Sequence, residues 1–161
     1  MARGTAECTC EKCGKTFVKY SYNCRNRSEA DRWEEWAKGN YTLCPECYRE
    51  QQKADNAQKA SVLIAELGLP EITGKSEKQI QYASNLRNKE LASRPEQARK
   101  IAEWFRMAKD GELDEAAAEK GMTPDELVRV TCQEYHFYGL GNLYTVFTVS
   151  DAGKLIDTLK Y

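Results

Sequence analysis

The chain has 161 residues, of which 30% are charged and 41% hydrophobic, and a formal net charge of −1. This length allows one ordinary domain or two small ones, and no apolar run approaches the roughly 20 residues of a transmembrane helix. Seven cysteines are an odd number, which argues against a fully paired disulfide framework of the secreted type. We therefore expect no signal peptide, a cytoplasmic location and no membrane association.

Two cysteine pairs are the most specific feature of the sequence. Cys10 and Cys13 lie in Cys-Glu-Lys-Cys-Gly-Lys, and Cys44 and Cys47 lie in Cys-Pro-Glu-Cys-Tyr. The C-x-x-C spacing lets two thiolates reach one ion from a tight turn, and two such pairs supply the four soft ligands of a closed tetrahedral zinc site. We therefore predict one structural Zn²⁺ bound by these four cysteines, with no open position for a nucleophilic water.

The residues around the pairs support this interpretation. Gly14, directly after the first pair, suits a turn that needs positive φ, and Pro45 restricts the turn inside the second pair. Cys8 lies two residues before Cys10 and could replace it as a ligand. The two remaining cysteines belong to no pair and are predicted to be buried; they are Cys24 and Cys132.

The N-terminal part of the chain predicts a strand and two helices. Residues 16–22 are rich in aromatic and β-branched side chains, which is typical of a strand. Ser28 is predicted to cap a short helix that a Gly-Asn pair closes. Residues 48–67 contain no Gly or Pro and predict a long helix behind the second cysteine pair. A ligand pair that opens a helix favours a treble clef over a zinc ribbon, within a zinc-binding module of residues 1–67.

A helical domain is predicted over residues 74–161. Ser76 is expected to cap its first helix, and Pro95 is expected to start the next. Thr123 and Glu126 have the spacing of a capping box for a later helix.

The end of the chain predicts a β-hairpin and one more helix. Aromatic and β-branched residues 135–138 and 143–149 flank a Gly-Leu-Gly-Asn segment that would form the turn, and Ser150 or Asp151 would cap the terminal helix. The predicted fold class is therefore α+β and mainly helical. It combines an N-terminal four-cysteine zinc module, treble clef or zinc ribbon, with a helical body closed by a C-terminal β-hairpin and helix.

Basic side chains near the first cysteine pair are interleaved with Phe17, Tyr20 and Tyr22. Cations in such a pattern could contact phosphates while the rings stack on bases. Alternatively, the rings pack under the metal and the lysines are merely solvated. A second basic region surrounds a helix–helix corner. DNA or RNA is thus a candidate partner, with predicted contacts at Lys12, Lys15, Lys19, Arg25, Arg27, Arg87, Arg94 and Arg99.

In contrast to these basic regions, residues 103–134 are acidic, with nine acidic and four basic side chains. Ala117, Gly121 and Leu127 have the spacing of a helix-turn-helix, but its second helix would face phosphates with acidic residues. We interpret the segment as a packed helical hairpin whose acidic face suits a basic protein partner. The candidate contacts there are Asp114, Glu115, Glu119, Asp125 and Glu126.

Catalytic motifs are not found in the sequence. His136 is the single histidine and is predicted to be partly buried in a strand. The sequence contains no Walker loop, dinucleotide fingerprint or nucleophile elbow. We therefore expect a binding protein rather than an enzyme.

Residues 69–80 read Leu-Pro-Glu-Ile-Thr-Gly-Lys-Ser-Glu-Lys-Gln-Ile and continue as Tyr-Ala-x-x-Leu-Arg over residues 82–87. With the cysteine pairs, this segment resembles the zinc-ribbon accessory proteins of bacteriophages and mobile elements of Gram-positive bacteria, over residues 8–90. The resemblance implies zinc at the four cysteines, an accessory or regulatory role and a bacterial host cell. In size and charge character the chain also resembles, more distantly, inhibitors of bacterial nucleoprotein defence machines such as anti-CRISPRs.

Overall fold

The structure, a computed structural model, describes residues 1–160, so the last residue of the predicted 74–161 domain lies outside the described residues. Within this range the chain forms two strands, eight α-helices and one 3₁₀ turn. In chain order they are β1 (Ala2–Thr9), β2 (Thr16–Cys24), α1 (Arg27–Asn40), α2 (Pro45–Leu67), α3 (Glu77–Ser93), α4 (Pro95–Lys109), α5 (Asp114–Glu119), α6 (Pro124–Glu134), the 3₁₀ turn His136–Tyr138, α7 (Leu140–Thr148) and α8 (Ala152–Leu159).

The chain divides into two compact units. The first comprises Met1–Ala54 and the second comprises the chain from Asp55 onward, so the boundary falls within α2. Among residues 1–160, none of the helices combines the length and the hydrophobicity that spanning a lipid bilayer requires.

In the first unit, β1 and β2 pair antiparallel and α1 packs against one face of the resulting ribbon. Side chains point alternately to the two faces of a strand, so the even-numbered residues of β1 face α1. These residues have small side chains, which allow α1 to pack closely against the ribbon. A Cβ atom added to Gly4 would lie only 2.7 Å from Cε3 of Trp33. The sequence did not predict β1, because Ala and Gly are depleted in strands and give little hydrophobic alternation.

The second unit is built around one helical core. Its fully buried side chains include Leu91 of α3, Ile101 of α4, Leu143 of α7 and Leu155 of α8. The ring of Phe105 stacks on Tyr144 and on Phe147, with centroids 5.8 Å apart in each pair. Burial of such apolar surface supplies most of the stabilisation of a unit of this kind.

A short clasp joins the segment between α2 and α3 to the start of α8. The backbone N–H of Thr73 donates to the carbonyl oxygen of Ser150 at 2.9 Å, and the N–H of Ala152 donates to that of Thr73 at 2.7 Å. Gly74 lies beside this clasp, where an added Cβ would be 2.9 Å from Cβ of Ala152. The segment between α2 and α3 is therefore in close contact with the start of α8.

The predicted C-terminal β-hairpin is wrong. Gly139 has a φ of +77°, but it ends the 3₁₀ turn and precedes α7 rather than turning a hairpin. The apolar residues Leu140, Leu143 and Val146 have helical spacing and are all buried. Tertiary packing therefore overrides the β propensity of the Thr-Val-Phe-Thr-Val run.

Most predicted helix starts are confirmed. The side chains of Ser76, Thr123 and Asp151 accept hydrogen bonds at the starts of α3, α6 and α8, and Glu126 completes the capping box. The exception is α1, which begins at Arg27. Its cap is Asn26, whose side chain accepts from the N–H of Glu29, and not the predicted Ser28.

Candidate metal centre

The structure brings the four paired cysteines together. Cys10 and Cys13 lie in the turn between β1 and β2, Cys44 directly precedes α2, and Cys47 lies in its first turn. The four sulfur atoms all lie within 4.8 Å of one another. Three of these cysteines are buried and Cys13 is exposed. This cluster could hold a metal ion.

The spacing of the sulfurs suits a tetrahedral ion. Metal–sulfur bonds of about 2.3 Å at tetrahedral angles place the sulfurs about 3.8 Å apart. Sγ of Cys13 lies 3.7 Å from Sγ of Cys44, which matches this separation. A donor set made only of sulfur favours soft ions over Mg²⁺ or Ca²⁺, which prefer oxygen.

Backbone hydrogen bonds fix the turn that carries the first pair. Gly14 has a φ of +72° and donates its N–H to the carbonyl oxygen of Cys10 at 2.8 Å, which agrees with the predicted need for positive φ. The N–H of Glu11 donates to the carbonyl oxygen of Thr42 at 2.8 Å, tying this turn to the segment before α2. Phe17 packs against the buried sulfurs. The two pairs are therefore held together by the backbone as well as by their side chains.

The surroundings of the free thiols separate their pKa values. Backbone amides, that of Cys44 foremost, lower the pKa of Cys10 to about 6. Burial raises the pKa of Cys47 to about 12. A bound cation would favour the thiolate form of all four sulfurs, because the thiolate is the form that binds metals.

The other three cysteines lie outside the cluster. Sγ of Cys8 donates to the carbonyl oxygen of Ala37 at 3.7 Å, so this thiol faces α1 and not the other sulfurs. Cys24 and Cys132 are buried, as predicted. Burial also raises the pKa of Cys132 to about 11, which makes this thiol a poor nucleophile at neutral pH.

Two predicted phosphate contacts lie on the turn that carries Cys10 and Cys13. Nζ of Lys12 is 3.2 Å from Glu50 and Nζ of Lys15 is 3.1 Å from Glu46, and all four side chains are largely exposed. Lys19 is on the α1 side of the ribbon, with Nζ 4.8 Å from the ring centroid of Tyr41.

The two arginines that follow β2 differ in their pairing. Arg27 pairs with Asp31 at 2.8 Å. Within residues 1–160, the side chain of Arg25 has no acidic partner. Arg25 is therefore the less neutralised of the two.

The predicted basic region of the second unit is not a free cationic surface. Arg87 is buried, with 8% of its surface exposed, and donates to the carbonyl oxygen of Pro70 at 2.7 Å. This burial argues against the phosphate contact that the sequence predicted at Arg87. Arg94 pairs with Glu90 and packs against Gly139. Arg99 is bound by Glu66 and also by Glu96.

Sequence reasoning missed Arg3. Its guanidinium carbon lies 4.1 Å from the ring centroid of Tyr20 and 4.9 Å from that of Tyr22, on the face of the ribbon opposite α1. The signal was present in the alternation of β1, where Arg3 and Thr5 flank the small Gly4. Without a predicted β1, this alternation could not be used.

All five predicted acidic contacts are exposed on α5 and α6. Asp114, Glu115, Glu119 and Asp125 have no ion-pair partner in the part of the chain that the structure describes. Glu126 instead completes the capping box, where the hydrogen bonds from Thr123 lower the pKa of its carboxyl.

His136 is exposed on the 3₁₀ turn rather than partly buried in a strand. Its Nδ1 lies 3.1 Å from the carbonyl oxygen of Gln133.

No family model matches the chain, and no curated protein or solved structure is significantly similar to it.

Proposed function

We propose that this chain is a non-enzymatic, zinc-stabilised protein that binds nucleic acid, as an accessory or regulatory factor of the phage or mobile-element type. Zinc is the ion we assign to the cluster, because tetrahedral four-thiolate sites are typical of structural zinc. Four sulfurs would leave no open position, so the ion would have a structural role. Such a site needs reduced thiols, which favours the bacterial cytoplasm.

We assign the module to the treble-clef type rather than to the zinc ribbon. Its first ligand pair lies in the turn of a hairpin, whereas its second pair lies at the start of α2. A zinc ribbon would carry both pairs on hairpins. The helix start also places N–H groups near the sulfurs; that of Cys47 donates to Sγ of Cys44 at 3.5 Å.

Lys12 and Lys15 provide the main support for nucleic-acid binding. They flank Cys13 on the metal-binding turn, so an ion in the cluster would hold both cations on a rigid support. Their pairs with Glu50 and Glu46 are solvent-exposed, and exposed ion pairs contribute little to stability because water screens them. Phosphates can therefore compete for both lysines at little cost.

The charge of the first unit supports the same partner. Residues 1–54 contain ten basic and eight acidic side chains, whereas the rest of the chain has an excess of acidic ones. A polyanion would therefore meet less repulsion at the first unit than elsewhere.

The experiment is a nucleic-acid shift assay at low and high salt on protein whose zinc content has been measured. Phosphate contacts release counterions, so we expect affinity to fall as salt rises. Replacing both Lys12 and Lys15 by Ala should reduce the slope of log K against log salt by about one for each lysine that contacts a phosphate. Lys53→Ala, another exposed lysine of this unit, is the matched control. Affinity that does not change with salt would contradict the proposal.

A second candidate function is that of a protein-interaction inhibitor, similar to an anti-CRISPR, that docks through α5 and α6. The unpaired exposed carboxylates on these helices support it, because they could meet a basic protein surface. A stoichiometric partner should be retained from nuclease-treated host lysate by the wild type and lost when Asp114, Glu115 and Glu119 are changed to Lys. An empty lane with the wild type would count against this function.

A further inference from the structure

The ribbon of β1 and β2 has one covered face and one open face. Helix α1 covers the first, where Ala6 and Cys8 are buried. The opposite side is the open sheet face, which consists of Arg3, Thr5, Glu7, Val18, Tyr20 and Tyr22. All six residues are exposed.

Two tyrosine rings lie side by side on the open sheet face. Their centroids are 6.4 Å apart and the rings are tilted by 39° to each other. Tyr20 is 47% exposed and Tyr22 is 66% exposed. Exposed aromatic rings on a sheet are the platform on which unpaired bases stack, because every base has a π-face.

Arg3 adds a positive charge to these rings. Its guanidinium carbon is 4.1 Å and 4.9 Å from the two ring centroids, and Nη2 donates to the hydroxyl of Tyr22 at 3.3 Å. Among residues 1–160, no carboxylate forms an ion pair with Arg3. The charge is therefore free to meet a phosphate or to stack on a base.

We propose that the open sheet face binds single-stranded nucleic acid, with two bases stacked on Tyr20 and Tyr22 and a phosphate at Arg3. This inference rests on the proposed nucleic-acid binding and names the strand state that the protein selects. A duplex keeps its bases stacked on one another, so it cannot use the rings. A protein partner could also use exposed Tyr and Arg side chains; the unpaired cation beside two rings favours the polyanion.

The test compares zinc-loaded variants in binding a labelled mixed-sequence single strand and the duplex formed from it, by fluorescence anisotropy. Tyr20→Ala and Tyr22→Ala should each weaken single-strand binding by about 5- to 150-fold, with a much smaller effect on the duplex. Tyr20→Leu keeps an apolar surface without a π-face and should behave as Tyr20→Ala does, whereas Tyr20→Phe should retain the affinity. Tyr82→Ala in α3 is the matched control, because Tyr82 has a similar exposed fraction of 45%.

The outcomes separate this inference from the proposed function. Salt-sensitive binding with equal affinity for both forms, unchanged in Tyr20→Ala, would overturn the stacking platform and leave the proposed function standing. Wild-type protein that binds neither form would overturn both. Loss of binding in Tyr20→Ala but not in Tyr20→Leu would identify an apolar contact and reject stacking. Unchanged zinc content and circular dichroism of the variants would establish that the fold is intact.

Discussion

Sγ of Cys13 lies 3.7 Å from Sγ of Cys44, although 31 positions separate these residues in the chain. One of them is in the turn of the hairpin and the other directly precedes α2. Bringing such distant residues together has an entropic cost, and an ion bound by both sulfurs, as proposed above, would offset it. The first unit has only small apolar clusters of its own. With zinc in the cluster, as proposed, the stability of this unit should depend on the metal.

Removing one ligand should release the ion and unfold the first unit. Structural zinc contributes about 10–16 kcal/mol in small zinc-dependent modules, so Cys44→Ser should leave little ordered structure there. Zinc content after gel filtration and far-UV circular dichroism measure the two effects. Cys24→Ala is the matched control, because Cys24 is buried outside the cluster and should retain one zinc per chain. A Cys44→Ser variant with stoichiometric zinc would refute the assigned ligand set.

A methyl group at Gly74 should destabilise the second unit. The added Cβ would lie 2.9 Å from Cβ of Ala152 and 3.0 Å from Cγ1 of Ile80, which is too close for carbon atoms. We expect Gly74→Ala to lower the free energy of unfolding by about 1–3 kcal/mol in urea titration. Gly141→Ala has room at 3.5 Å and lies in α7, so it should be neutral or stabilising. Equal stability of the two variants would show that the clasp can relax.

The capping box of α6 should make stability depend on pH. Hydrogen bonds from Thr123 lower the pKa of Glu126 in the folded chain, so the carboxylate contributes stability above its unfolded pKa. This contribution is lost as pH falls through the folded pKa. Glu126→Gln should therefore have a lower urea midpoint than the wild type at neutral pH, with the difference vanishing in acid. Glu103→Gln, at an exposed residue of α4 outside the capping box, controls for the loss of one carboxylate.

Replacing the buried Arg87 by an apolar residue should stabilise the chain slightly. Burial lowers the pKa of Arg87, and its Nε has no hydrogen-bond partner among the described residues. Pro70 is exposed, so water can take the place of the guanidinium at its carbonyl oxygen. We expect Arg87→Met to raise the free energy of unfolding by about 1 kcal/mol, because an unpaired buried charge is removed. A large loss of stability would mean that the hydrogen bond to Pro70 outweighs the burial of charge.

Local signals predicted the helix starts well, and non-local packing explains the errors. Ser76, Pro95 and the Thr123–Glu126 capping box act within one helical turn, so the sequence contains the whole signal. Whether residues 140–148 form a helix or a strand depends instead on packing against another helix. There Phe105 stacks on Tyr144 and Phe147. Propensity could not reveal that contact.

The four cysteines of the candidate site were predictable from the sequence, whereas the surface around them was predictable only in part. The clustering of the four cysteines follows from C-x-x-C spacing and is confirmed. The division of aromatic residues between the two sides of the ribbon was not predictable without the register. Phe17 packs against the sulfurs, as the alternative interpretation had it, whereas Tyr20 and Tyr22 are exposed on the other side.

The clasp between Thr73 and Ala152 has a consequence for the order of folding. Its two hydrogen bonds join the ends of a loop that contains α3 to α7, so they can form only after that loop has closed. Closing a loop of this length costs chain entropy before the two hydrogen bonds can offset it. The clasp should therefore form after the folding transition state. Mutations that weaken it should speed unfolding and leave the rate of folding nearly unchanged.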